Sequence, residues 1–408
     1  MTANHTPHTP HTTSERVIGL AAVDRQTTLK AHRMAPLLTA GDPLADAVIA
    51  ELDFYGPKAL KGLDTALWKG LAGLDERPSN AVTALLKHVE TTPSWVDPLM
   101  LHRGDVVSLS VPPMWFGLCA ITGALAHTYA SPATARMLLR TDRPTPAVTG
   151  RLAEAGVWAR QTIRPGGLLR GGPGYVATVK ARLRHARLRA TALADWDSGV
   201  PGLPIGQLDM ARTWLGFTLI AHHALAAVGI DITDEEEHRL YQYWAYVGHL
   251  LGLDESLYKP VVDHVGARRL QDLLDTMTPA PDDTSRTAVA AVIDAQAHAT
   301  AQAQAAVLSE EQLRDLIHCV LGRSFGNTAA DRLAIPVVPA VADLMPLIST
   351  LNRQARHWQT YSPASAESAR RQAVQEPGPG PEPIAAVLPL GVAFQHRAGG
   401  RRTGTPAA

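Results

Sequence analysis

The chain is predicted to be all-α, on three observations. Apolar residues recur at helical spacing along most of its 408 residues, Ala and Leu are abundant, and long alternations of β-branched residues are scarce. With 46% hydrophobic and 19% charged residues it can bury a sizeable core, so disorder is excluded for most of its length.

In chain order the pattern predicts helices over residues 43–52, 57–71 and 81–89. The first two open on proline, which the first turn tolerates because its missing N–H has no partner there. Residues 106–130 then form a charge-free run of a length that suggests a membrane span. Pro112 and Pro113 break it, and the remainder, 114–129, reads as a helix packed inside the protein, with Gly117 and Gly123 allowing close neighbours. Helices over 133–139 and 146–162 follow. The loop 164–174, RPGGLLRGGPG, follows no strand, so it is read as a bend between helices and not as a phosphate cradle. Next come helices over 175–193, 207–228 and 235–251, the last marked by the capping box of Thr233 and Glu236. Helices over 261–276, 286–308, 310–320 and 338–353 complete the set. No repeat of about 20 to 50 residues is visible, which argues against a solenoid.

Composition divides the chain into a polar tail at 1–16, one large helical domain at 17–372 and a Pro/Gly-rich tail at 373–408. Within the last, 384–394 is apolar enough to dock on the domain or on another subunit. Lys plus Arg and Asp plus Glu number 38 each, so no overall field draws the chain to nucleic acid or to an anionic membrane. A local basic stretch is then a feature of a site. Cys119 and Cys319 form no CxxC pair, which removes zinc clusters and disulfide frameworks. The first sixteen residues, MTANHTPHTPHTTSER, lack the cationic and apolar segments of a secretory signal, and a cytoplasmic location is expected.

HExxH, GxSxG and GxxxxGK[ST] are absent, and Glu235-x-x-His238 stands alone where a di-iron bundle needs two such motifs. The most informative stretch is 176–190, VATVKARLRHARLRA, which puts His185 between Arg182 and Arg189 at helical spacing. The three fall within an arc of roughly 60° on one helix side. Such an imidazole suits a haem iron ligand, with the guanidinium groups meeting the anionic porphyrin edge. Taken alone, the pattern is better described as a basic amphipathic helix with a satisfied core histidine.

The R-x-x-H-x-x-x-R array, the Gly-rich loop before it and Pro204-Ile-Gly-Gln207-Leu-Asp209-Met-Ala-Arg-Thr213 after it resemble the latex clearing protein (rubber oxygenase) and MpaB oxygenase family. Arg151-Leu-Ala-Glu154, Trp244-Ala-Tyr-Val-Gly248-His-Leu-Leu-Gly252, Leu321-Gly322 and Ala330-Asp331-Arg332-Leu333 extend the resemblance over about residues 40 to 340. It implies a globin-like haem-binding core with additional helices, haem b held through its iron by His185, and Arg182 and Arg189 as cofactor-binding residues. Arg151, 34 residues before His185, corresponds to the family's distal-face arginine. Here the chain departs from rubber oxygenases, which carry a lysine and a threonine three and four residues later; this chain has Glu154 and Ala155. Glu154 is therefore read either as a catalytic base replacing one the preceding helix lacks, or as the ion-pair partner of Arg151. The implied reaction is oxidation of an unsaturated apolar small molecule by O₂, with cleavage of an isoprenoid double bond to carbonyl products as one form. A haem oxidoreductase that uses peroxide or hydroxylates its substrate, and a non-catalytic helical binding protein, are the alternatives. No extracellular polymer, nucleic acid or membrane partner is expected.

Overall fold

In the computed structural model, the described residues run from 31 to 362 except 33, 140–143, 195, 197–201 and 304–307, with 364, 367, 368, 371, 384 and 388 in addition. The expected N-terminal tail at 1–16 lies outside them. Among the described residues there are helices and no strands. They are α1 (Pro43–Tyr55), α2 (Leu63–Lys69), α3 (Asn80–Glu90), α4 (Pro98–Leu109), α5 (Pro113–Tyr129), α6 (Pro132–Leu139), α7 (Pro144–Ile163) and α8 (Pro173–Leu193). There follow α9 (207–227), α10 (Asp234–Leu250), α11 (His264–Met277), α12 (Asp283–Ala303), α13 (Glu310–Phe325), α14 (Asn327–Arg332) and α15 (Met345–Tyr361).

Side-chain caps set several boundaries. Asp42 accepts from the Ala45 N–H and starts α1, while Thr233 and Glu236 form the expected capping box at α10. Asp263 and Asp282 accept from the Gly266 and Ser285 N–H groups, so α11 begins later and α12 earlier than the apolar period alone suggests. The segment expected to be helical over 57–71 is divided by Gly62, whose φ of 82° lies in the left-handed region. The stretch expected over 338–353 is likewise split, into Pro339–Ala342 and α15.

The charge-free run is not one rod. α4 and α5 meet at 91° across the break before Pro113, and among the described residues no single helix is long and apolar enough to cross a membrane. α5 and α9 each contain a π-helical turn, at Phe116–Ile121 and Gly216–Ile220, and the two helices pack together there. Their approach depends on glycine: a Cβ on Gly216 would stand 2.8 Å from the Ala124 carbonyl oxygen. α8 lies between α1 and α7, while α12 packs across α5, α6 and α7. Buried apolar side chains from α1 through α13 form one continuous cluster. Ile384 and Leu388, from the segment expected to dock, are buried in it, and the Ile384 N–H donates to Asp64 at 2.9 Å; the rest of the expected 373–408 tail lies outside the described residues.

Candidate functional site

Five helices turn one face each toward a common cavity. α7 contributes Arg151, Glu154, Ala155 and Trp158, and α8 contributes Ala181, Arg184, His185 and Leu188, both at i, i+3, i+4 and i+7. Leu125, Thr128 and Tyr129 come from α5, Thr134, Met137 and Leu138 from α6, and Asp209, Met210, Thr213 and Phe217 from α9; Ile205 and Leu251 complete the wall. Most of this lining is apolar. Trp158, Phe217 and Trp244 pack as an aromatic cluster at one side, with the Phe217 and Trp244 rings stacked 5.7 Å apart.

The structure thus brings Arg151, Glu154 and His185 into one cavity. Glu154 Oε2 accepts from Arg151 Nη1 at 3.0 Å and from Arg184 Nη1, so the acid is held between two guanidinium groups. Arg184 was not singled out by the motif; the i, i+3, i+4, i+7 face through Ala181 and Leu188 is the signal that contains it. His185 Nδ1 is buried without a hydrogen-bond partner. Burial, then the charges of Arg151, Arg189 and Arg184, press its pKa down to about 3, so the imidazole is neutral near pH 7. A neutral ring with a free nitrogen is the form that binds a metal.

Arg182 and Arg189 are placed elsewhere, and neither lines the cavity. Arg182 Nε and Nη2 donate to the two oxygens of Asp42 at 2.5 and 2.8 Å, deep in the protein. Arg189 Nε and Nη2 donate to Asp46 at 3.0 and 2.7 Å. These bidentate contacts tie α8 to the first turn of α1 one helical turn before and after His185. Both guanidinium groups are held by carboxylates, an arrangement that orders the helix around His185. Gln207 reinforces the same joint, donating to the Gly41 and Gly252 carbonyls at 2.8 and 3.0 Å and accepting from the Asp254 N–H at 2.8 Å.

Ile205 is the strained element of the wall. Its φ of 53° is left-handed, a conformation that costs a β-branched residue about 1–3 kcal/mol. Its N–H donates to Asp209 Oδ2 at 3.0 Å and its carbonyl accepts from Arg189 Nη1, so both sides of the turn are fixed. Asp209 also accepts from Ser131 Oγ at 3.3 Å, and burial pushes its pKa up to about 6 against the pull of Arg212 and these donors. Asp209 and Thr213 also line the cavity. The remaining buried histidines lie outside it. His222, His223 and His264 sit together, with His264 Nδ1 2.7 Å from the Tyr241 hydroxyl, but among the described residues no three His, Cys, Asp or Glu side chains are arranged to hold a metal ion.

Eight imidazoles among the described residues have pKa values lowered by burial: His127, His185 and His222 to about 3, His223 and His249 to about 4, with His88, His264 and His318 lowered as well. Unfolding lets each take a proton near its ordinary value of about 6.5. Their contribution is thus intact above that pH and is lost as pH falls from about 6.5 toward 4 and 3, by at most about 1.4 kcal/mol per group per unit. Asp209 and Asp272 have the opposite sign, since a raised pKa favours the folded state on acidification, but they are two groups against eight. Urea denaturation at pH 7 and pH 5 should show a lower stability at pH 5; equal or greater stability there would contradict the buried, neutral histidines.

Residues 107–361 match the family described as ER-bound oxygenase mpaB/B'/rubber oxygenase, catalytic domain. The fold is similar to the solved structure of latex clearing protein in the closed state, with a TM-score of 0.60 and 19% identity over 83% of this chain and 90% of that one. At that identity the likeness speaks for the fold. No curated protein matches the sequence.

Proposed function

The chain belongs to the MpaB and rubber oxygenase catalytic-domain family, and on that footing we infer that it is a haem b-dependent oxygenase acting with O₂ on an unsaturated, apolar small molecule. One observation carries this reading: His185, neutral and with Nδ1 unpartnered, stands in the wall of an apolar cavity beside two arginines. The residues present fit the group. A porphyrin supplies four of the iron's ligands, so a single histidine suffices and a cluster of metal-binding side chains is not required. Arg151 and Arg184 line the cavity and each gives Glu154 a single nitrogen, so the other N–H groups of both guanidiniums would be the partners for porphyrin carboxylates. The cavity measures about 190 Å³, below the roughly 300–1,000 Å³ of small-molecule sites, so the unbranched Met137 and Met210 of its wall would have to yield to admit a planar group of that size. Haem, when bound, supplies the redox chemistry with O₂, while the protein supplies orientation and a dry cavity.

His185 would hold the iron, and Leu125, Leu138, Leu188, Trp158 and Phe217 would exclude water and contact the apolar substrate. Two carboxylates face the cavity. Both Asp209 oxygens are occupied by Ser131 and the Ile205 N–H, which suits a residue that holds the turn. Glu154 receives both of its guanidinium bonds on Oε2, leaving Oε1 as the oxygen to take a proton from substrate. On this reading Glu154→Gln keeps cofactor content but slows turnover by about 10² to 10⁴, the usual range for a positioned base. Near-normal turnover, with a stability change under about 1 kcal/mol, would return Glu154 to a surface ion pair.

The reaction itself is tested by incubating haem-loaded protein with unsaturated isoprenoids under ¹⁸O₂. Label in the carbonyl products is expected, and polyisoprene should yield no oligomeric aldehydes or ketones. Substrate consumption under nitrogen with added peroxide, and none with O₂, would identify a peroxide-using enzyme instead.

A further inference from the structure

A second groove lies outside the His185 cavity and shares no lining residue with it. It follows the bend between α4 and α5 and is closed by α7 and α12. Its volume, about 400 Å³, falls within the roughly 300–1,000 Å³ of small-molecule sites. Leu109, Val111, Met114, Phe116, Ile121 and Ile163 make an apolar wall, and the exposed Ala299 and Ala303 leave its rim on α12 free of bulky side chains. Arg160 of α7 stands at its exposed edge.

Charge decides the kind of occupant. Arg160 has no hydrogen-bond or ion-pair partner among the described residues, although most cations on α7 and α8 are paired, and no Asp or Glu is among the groove's lining residues. The polar groups deeper in the groove are weak anchors by comparison, since Gln296 Nε2 already donates to Thr300 Oγ1 at 2.8 Å. An apolar trough ending at one free guanidinium complements a molecule with one alkyl chain and one anionic head.

We propose that this groove binds a single-chain amphipathic anion, its acid head on Arg160 and its chain along Met114, Phe116, Ile121 and Ile163. The site goes beyond the oxygenase reading, and its occupancy needs neither haem nor turnover. A carboxylate and a phosphate monoester share the required chemistry, so the ligand is either a fatty acid or a lysophospholipid acid.

The test uses the full chain without added haem and a fluorescent fatty acid, 11-(dansylamino)undecanoic acid, displaced by dodecanoate, dodecyl phosphate or dodecanol. Saturable one-to-one binding is expected, with the alcohol about tenfold weaker than the better anion, the worth of one exposed charge-assisted contact. Whichever anion displaces the probe at the lower concentration identifies the head. Arg160→Gln, on the surface and safe for folding, should remove the preference for anions, and Ala299→Trp should block the probe by covering the groove from its α12 rim. His185→Ala should leave binding unchanged. Wild-type behaviour in both groove variants, or loss of binding only in His185→Ala, would overturn the proposal.

Discussion

His185→Ala is expected to yield a folded, helical protein that no longer holds haem. The fold should survive because His185 makes no hydrogen bond through Nδ1, and an unsatisfied buried group of this kind costs about 1–3 kcal/mol in the wild-type apoprotein, offsetting the packing lost with the ring. The joint that orders α8 is made by Arg182 and Arg189 with Asp42 and Asp46, which the substitution leaves in place. Partners that merely orient a metal ligand are worth about 10–100-fold in affinity, so loss of the ligand itself should exceed 100-fold. Added imidazole should restore part of the haem binding by entering the space vacated. A variant that binds haem like the wild type would remove His185 from the centre of the site.

Asp42→Ala should produce the largest loss of stability. Arg182 is 3% exposed and its ion pair with Asp42 lies away from water, so removing the acid strands a buried charge, at about 3–5 kcal/mol. Loss of the α1 cap adds about 1 kcal/mol. The double variant Asp42→Leu with Arg182→Met should recover most of this, since an apolar pair of similar size carries no desolvation penalty. Asp46→Ala should cost about 1 kcal/mol, because the Asp46 side chain is 40% exposed and water screens that pair. Urea denaturation of the four proteins measures these differences; an Asp42→Ala protein as stable as the wild type would show that the joint is not what holds α8.

The helical class and most of the helices were legible because apolar periodicity and the Thr233 capping box are local signals, whereas α4, whose apolar residues keep to no single face, and the short α14 were not expected. The motif around His185 was legible for the same reason: a helix fixes which residues share a side. What lies between helices was not. The partners of Arg182 and Arg189 are about 140 residues upstream in the chain, and nothing in a local pattern selects Asp42 and Asp46 from 38 acidic residues. The left-handed Ile205 is invisible for a related reason, since its conformation is imposed by Asp209 and Arg189 against its own preference. The π-helical turns at Phe116–Ile121 and Gly216–Ile220 shift the register of α5 and α9 by a fraction of a turn, which a fixed 3.6-residue period cannot follow. That shift helps decide which faces of α5 and α9 meet the cavity, and Asp209 and Thr213 stand on one of them.

The central claim is that His185 forms the protein's side of a haem site. Titrating the purified apoprotein with haem while recording the ultraviolet-visible spectrum tests it most directly. The account predicts a Soret band that saturates at one haem per chain and that is absent from His185→Ala at the same concentrations. A wild-type protein that develops no Soret band, or one whose band is identical in the alanine variant, would contradict it.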